Sequence, residues 1–468
     1  MKNKYLNIKD NPNPAANIGF ICYTPFHFYL YKNIYQYLPN SEFIIGEPYD
    51  SEEFGRISNY LENLLDFFST QKVYWRFINL EDERVAQNEF YNKYALLVST
   101  LYYGATAAPY NKDKKLVRVM YTQAKDLWNF GPWSAYFDLI LAYGSYSQKF
   151  LSIYNNSVVA GNPKFDDWFS NEIDEESLEE LKNSLDPAKK TVLYLPTTGM
   201  LSSLNLMTQS LNSVSDEYNI IVKAHHDTYL YEQDRLAPYK ENSRIIIKSD
   251  RDDILPLLKV ADFVISDNSG AIFDAILADR PIILIDFLNE DFFKRFKETW
   301  YYKFEGKYLG VATNQQSIEQ MVKNPSKEVG PVIKIRSNVN QNLKIGLGTQ
   351  VSVDNLRESL AFALQNEGIF SRRREKIREL AFSYNDGQCS KRAAEKITKL
   401  LYTPKSGPNF FAEALDRYYD QFIARRLEIY EVNSRVAKHK LGESTEYYLK
   451  IKSLPFWQKM IAVMKEFF

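Results

Sequence analysis

Two doubly wound α/β domains followed by a helical tail are what this sequence predicts, and three observations carry the prediction. Short apolar, β-branched runs alternate with helical or turn-rich stretches across residues 17–170. A second alternation of the same kind fills residues 191–401. The clearest single unit lies at residues 261–286. There Phe263, Val264 and Ile265 form an apolar run, and a polar turn follows with Asp267, Asn268, Ser269 and Gly270. One or two helical turns then lead to a second apolar run at 282–285. Strand, turn, helix, strand is the repeating unit of a parallel sheet.

Composition sets the outer limits. A length of 468 residues suits two to three domains with substantial cores. With 45% apolar and 25% charged residues the chain reads as an ordinary soluble globular protein. A net charge of −1 excludes a broad electrostatic footprint for nucleic acid. Two cysteines, Cys22 and Cys389, form neither a disulfide framework nor a zinc spacing, which fits a reducing compartment. The first ten residues lack the apolar core of a signal peptide, and no run of about 18 apolar residues occurs, so a cytoplasmic protein is expected. The aromatic share, 15%, tilts toward glycan handling, although tyrosine also fills cores.

Taken in order, residues 1–16 form a loose arm with Pro12 and Pro14. Strands are expected at 18–23, 42–45, 73–78, 95–100, 116–120, 138–142 and 157–160, with a helix at 28–37 after Thr24 and Pro25 end the first strand. Residues 171–190, acidic then basic and containing Pro187, are the linker. The second domain places strands at 191–195, 220–223, 244–248, 263–265 and 281–285. Its basic run at 371–376 reads as a solvated face or a contact for anionic lipid. Residues 402–468 form a helical tail. Near its end Phe456, Trp457, Met460, Ile461, Met464, Phe467 and Phe468 fall toward one helix side. That face either docks on protein, a second copy included, or rests on a membrane through residues 454–468.

A parallel sheet gathers ligands at the carboxyl ends of its strands, and the Asp267–Gly270 turn occupies such an end. Ser269 can cap the following helix and donate to a phosphate oxygen, while Gly270 permits close backbone approach. Anion binding, of a diphosphate in particular, is one reading; an ordinary capped turn is the other. His225 and His226 close the strand that holds Lys223, where imidazole can bridge a phosphate, shuttle a proton, or simply be hydrogen-bonded. Thr197 and Thr198 form another cleft-edge turn. His27 follows the first strand and is the candidate general base, whereas His439, between Lys438 and Lys440, reads as solvated.

Several of these residues also carry a resemblance. Asp267, Ser269 and Asp274, spaced Asp-x-Ser-x-x-x-x-Asp, resemble the Asp-Tyr-Ser-Ser-x-x-x-Asp segment of the CDP-glycerol glycerophosphotransferase family, the teichoic acid primases and polymerases. Asn268 replaces the tyrosine and Gly270 the second serine. Lys223 and His225 resemble the family's basic-x-His-Pro element, with His226 at the proline. Residues 161–166, Gly-Asn-Pro-Lys-Phe-Asp, are similar to its Gly-x-Pro-Arg-x-Asp turn, and Asn-Pro there is also similar to UDP-GlcNAc 2-epimerases. Phe382, Asp386, Gly387, Ser390 and Arg392 fit Phe-x-x-x-Asp-Gly-x-x-Ser-x-Arg, and Thr197 falls on a Pro-Thr element. Thr122 and Lys125 match a His-Gly-Thr-x-x-Lys element, but Met120 and Tyr121 stand where the family has its catalytic histidine and glycine. The Thr24-Pro25 start is similar to bacterial CMP-sialic acid transferases.

The resemblance implies a GT-B fold, two such domains facing a cleft. It implies transfer of an alditol phosphate from a CDP-activated donor to a hydroxyl of a lipid-linked or glycan acceptor, as in capsule or teichoic-type polymer synthesis. Lys223, His225, His226, Asp267, Asn268, Ser269, Gly270, Asp274, Thr197, Thr198 and Arg392 would bind the donor. His27 would be the base, with His225 sharing the catalytic work, and Thr122 and Lys125 would stand on the acceptor side. Neither metal nor cofactor is implied, nor nucleic acid; work at the inner face of the cell membrane and a homo-oligomer are compatible. A CMP- or UDP-sugar glycosyltransferase and an inactive assembly subunit are the alternatives.

Overall fold

The computed structural model describes residues 9–46, 58–78, 93–100, 114–123, 129–130, 132–199, 202–267, 269–285, 348–351, 356–405 and 409–414. Two parallel sheets organise them. The first contains β1 (Ile18–Cys22), β2 (Ser41–Gly46), β3 (Trp75–Ile78), β4 (Leu96–Ser99), β5 (Lys115–Val119), β6 (Leu139–Ala142) and β7 (Ser157–Val159), in the order β3-β2-β1-β4-β5-β6-β7. The second contains β8 (Lys190–Leu195), β9 (Tyr218–Lys223), β10 (Ile245–Lys248), β11 (Phe263–Ser266), β12 (Ile282–Ile285) and β13 (Gly348–Val351), in the order β10-β9-β8-β11-β12-β13. In both sheets the order reverses beside the first strand, between β1 and β4 and again between β8 and β11. A doubly wound sheet opens its ligand crevice at that reversal. The expected α/β architecture is thus present, each sheet covered by helices on both faces. Strands buried on both sides explain why their sequences are continuous apolar runs. β13, Gly-Thr-Gln-Val, has no such run and was not expected.

The first helix, Pro25–Tyr35, begins three residues before the expected start. Pro25 does not merely end the strand; it occupies the first helical turn, where its missing N–H costs nothing. His27 therefore lies in that turn and is buried. Much of the phenylalanine and tyrosine content is core: Phe20 and Phe43 stand 5.7 Å apart, and Phe28 meets Phe68 edge-on at 5.7 Å.

The helix Cys389–Tyr402 departs from the expected domain division. Although its sequence follows the second sheet, Ala393, Ala394 and Ile397 join the core of the first, beside Leu30 and Val117. The Asp166 carboxylate accepts the N–H groups of Cys389 (2.9 Å) and Ser390 (2.6 Å), and Ser390 Oγ donates to the Pro163 carbonyl (3.3 Å). Gly161, at φ +87°, leaves no room for a Cβ, which would stand 2.3 Å from Cys389 Sγ. The two sequence elements at 161–166 and 382–392 are therefore one joint. The Ser390 N–H is itself capped by Asp166.

The basic run at 371–376 is not a uniformly solvated face. Arg373 and Arg374 are buried, and Arg374 pairs with Glu367 and Asp279 where the helix Glu367–Ala381 packs on the helix Ala271–Leu277. Among the described residues no helix is long and apolar enough to cross a membrane. Residues 454–468 lie outside the described set.

Replacing Asp166 with alanine removes a carboxylate cap shared by two backbone donors. A loss of about 1–2 kcal/mol is expected in urea denaturation, with Asp166→Asn retaining part of it.

Candidate functional site

One cleft, about 840 Å³ with its open mouth included, runs between the carboxyl ends of the two sheets. Its second-domain wall begins at the reversal between β8 and β11. Asp267 is buried there, and its carboxylate accepts Thr197 N–H (2.8 Å), Ser203 N–H (2.7 Å) and Ser203 Oγ (2.8 Å). The expected donor-binding role does not match this placement, because the carboxylate is spent holding the loop after β8. Thr197 contributes its backbone to that tie, and Thr198 donates to Glu232 at 3.2 Å. Neither threonine lines the cleft.

Ser269 does line it, and Ser269 Oγ accepts the Ala271 N–H (3.3 Å) at the start of a seven-residue helix, Ala271–Leu277. Gly270 is small for a reason other than ligand approach alone. Thr122, from the opposite wall, donates its hydroxyl to the Gly270 carbonyl (3.2 Å), and a Cβ on Gly270 would stand 2.7 Å from Thr122 Oγ1. Asp274 faces the Lys164 ammonium at 2.7 Å. Burial raises the Asp274 carboxyl above its usual range, and Lys164 opposes that shift.

His225 precedes the helix His226–Tyr231 and caps it: Nδ1 accepts the Asp227 N–H at 3.2 Å. Its Nε2 lies 3.1 Å from the Tyr121 hydroxyl of the first domain. The His226 ring stacks on Phe26 at 5.7 Å, and His226 Nε2 stands 3.4 Å from the Asp227 carboxylate. Among the described residues His225, His226 and Asp227 bring three potential metal-ligand atoms within 4.8 Å of one another. The Nδ1 lone pair of His225 is already engaged by the Asp227 N–H. Lys223 donates to the Ser249 carbonyl (2.7 Å), and burial pushes its ammonium below the usual lysine range.

The first-domain wall comprises Phe26, Tyr29, Tyr121, Thr122 and Lys164. It touches the other wall directly: the Tyr29 hydroxyl donates to the Arg251 carbonyl, and Lys32 bridges Asp167 (2.9 Å) and Asp253 (3.4 Å). Asp250, Asp252 and Asp253 complete the rim after β10. Asp252 accepts Ser249 N–H (2.6 Å), and Asp253 caps the next helix through Leu255 N–H (3.1 Å).

Several expected site residues lie elsewhere. His27 is not in the cleft lining; it is buried beside Phe26, with Nδ1 3.0 Å from Thr24 Oγ1. Burial, reinforced by His226, pushes its imidazole down to about 3, so its basicity at neutral pH is slight. Arg392 pairs with Asp386 (2.8 Å) and lies over the Tyr384 ring (4.1 Å), outside the lining. Asn268 and Lys125 fall outside the described residues. Lys164, Phe26, Tyr29 and Tyr121 were not anticipated as site residues. Only Lys164 had a signal, standing at the basic position of Gly-x-Pro-Arg-x-Asp.

Residues 142–330 match the family model of CDP-Glycerol:Poly(glycerophosphate) glycerophosphotransferase. Among solved structures, a variant of the wall teichoic acid polymerase TagF is 14% identical with a TM-score of 0.54, over 85% of this chain and 91% of that one. A TagF variant soaked with CDPG gives 16% identity and a TM-score of 0.53 over the same shares. The S. aureus MnaA–UDP co-structure gives 12% and 0.50, over 84% of this chain and 100% of that one. No curated protein sequence matches. At these identities the structural likeness establishes the fold, a GT-B-type pair of doubly wound sheets flanking a cleft. The family match over 142–330 falls within the part of the chain where the motifs resemble the CDP-glycerol glycerophosphotransferases.

Gly270→Ala should press the two walls apart and cost about 1–3 kcal/mol in urea denaturation, with Thr122→Gly in the same chain recovering most of it. His27 has a folded pKa of about 3 against 6.5 for a free imidazole, so the unfolded chain binds the proton first. Its contribution to stability is complete above pH 6.5 and is lost as pH falls toward 3. Urea midpoints measured between pH 7 and pH 4.5 should fall less steeply in His27→Gln than in the parent.

Proposed function

We propose that this chain moves an alditol phosphate from a CDP-activated donor onto a hydroxyl of a lipid-linked or glycan acceptor in cell-envelope polymer synthesis. One observation carries the reading. The stretch matching the glycerophosphotransferase family model, 142–330, includes Lys164, Lys223, His225 and Ser269, and all four line one cleft. In the reaction the acceptor oxygen bonds to the alditol-bearing phosphorus, the P–O bond to CMP breaks, and CMP leaves as a phosphodiester forms. Lys164 and Lys223 offset charge on the diphosphate, and Ser269 supplies a hydroxyl at its edge. His226, beside the Asp227 carboxylate, takes the acceptor proton in place of the histidine absent at Met120. Thr122 belongs to the acceptor wall. In this reading residues 191–388 bind the donor, residues 17–170 with the helix Cys389–Tyr402 receive the acceptor, and residues 454–468 meet the membrane's inner face.

A second reading rests on Met120 and Tyr121 replacing His-Gly: a glycosyltransferase that breaks a sugar C–O bond of a CMP- or UDP-sugar. Incubation with CDP-glycerol, CMP-sugars and UDP-sugars, followed by chromatography of the released nucleotide, separates the two. CMP released from CDP-glycerol is expected, with Ser269→Ala and Lys223→Met each lowering kcat/KM by roughly 10–100-fold. Release from a nucleotide sugar alone would replace the first reading with the second. No release from any donor would leave an assembly subunit.

A further inference from the structure

The Tyr121–His225 contact spans the cleft, and its hydrogen positions follow from geometry. His225 Nδ1 accepts the Asp227 N–H (3.2 Å), and a proton on Nδ1 would collide with that hydrogen even though the Asp227 carboxylate stands 3.5 Å from the same nitrogen. The neutral ring therefore carries its proton on Nε2 and donates it to the Tyr121 oxygen, 3.1 Å away. Tyr121 accepts there and retains its own hydrogen for another partner. Among the described residues no other hydrogen bond engages the Tyr121 hydroxyl. Its ring is held by Phe26 (4.7 Å between centroids) and His226 (6.1 Å, edge-on). The next residue, Thr122, is bonded to the Gly270 carbonyl (3.2 Å), which places Tyr121 beside the turn containing Ser269.

We propose that the Tyr121 hydroxyl is a phosphate-binding donor of this cleft, the last member of a polarised chain from the Asp227 N–H through His225. The proposal rests on reading the cleft as a phosphate site and adds to it a residue for which the resemblance offers only glycine. Each bond in the chain strengthens the next, so the terminal O–H is a better donor than an isolated phenol. Lys164 and Lys223 line the same cleft and can share an anionic oxygen with Tyr121, while Asp274 and the rim carboxylates of Asp250, Asp252 and Asp253 stand around them. Burial holds the phenol in its protonated form. His225 is then a positioning residue: with Nδ1 occupied and Nε2–H donated, it has no lone pair with which to act as a base.

Tyr121→Phe preserves the ring and removes only the hydroxyl. Calorimetric titration of parent and variant with cytidine, CMP, CDP-glycerol and inorganic pyrophosphate tests the assignment. Binding of the three phosphate-bearing probes should weaken about tenfold or more, while cytidine binding is unchanged. Unchanged affinity for every probe, or an equal loss for cytidine, overturns the proposal. A parent that binds pyrophosphate through Tyr121 but ignores CMP and CDP-glycerol overturns the CDP-donor reading and leaves this one standing. A parent that binds none of them overturns both. Nitrogen-15 NMR of labelled histidine should show His225 protonated at Nε2 at neutral pH; a proton at Nδ1 overturns the proposal independently of any ligand.

Discussion

The buried Asp267 carboxylate is the interaction on which the cleft depends. By accepting two backbone N–H groups and the Ser203 hydroxyl, it ties the end of β11 to the loop after β8, across the reversal of strand order. A carboxylate taken out of water is tolerable only when its lone pairs are satisfied, and three donors satisfy this one. Without it the backbone at Thr197 and at Ser203 would lose its anchor beside the turn that holds Ser269.

Around that anchor the two walls meet through polar contacts of quite different cost. The Thr122–Gly270 bond needs only a missing Cβ. The Lys164–Asp274 pair must offset the desolvation of both ions, and such a pair contributes little net stability while being costly to break from one side. Its value is in register: only one relative placement of the domains brings ammonium to carboxylate. Lys32 between Asp167 and Asp253 repeats the device at the rim. Contacts like these fix how the walls face each other, whereas the apolar cores fix each wall separately.

The division between what could and could not be read from the residues follows the same line. Strands such as β1 and β11 are buried on both faces, so their apolar runs announce them without knowledge of their neighbours. The polar β13 has no such signature. Pro25 closes a strand and opens a helix equally well, and nothing local chooses between them; the choice moves His27 from a cleft loop into the core. Asp267 and Arg392 looked like ligand contacts because each is of the right chemical type in the right turn. The partner of Asp267, Ser203, lies on a distant segment whose proximity is a property of the folded chain, whereas Arg392 is taken by Asp386 within its own motif. Lys223, His225, His226, Ser269 and Asp274 do come together, since strand ends in a parallel sheet converge whatever the loops do.

The joint at Asp166 bears on how the molecule is made. Because Ala393, Ala394 and Ile397 complete the packing around the first sheet, that lobe stays unfinished on the ribosome until the whole second sheet has emerged. The second lobe is topologically an insertion into the first. Its βαβ units assemble from near neighbours, but the first lobe must wait for a distant closing segment, and loop closure over such a separation is slow. A chain cut after β12 would therefore leave an apolar stripe uncovered on the lobe that was synthesised first.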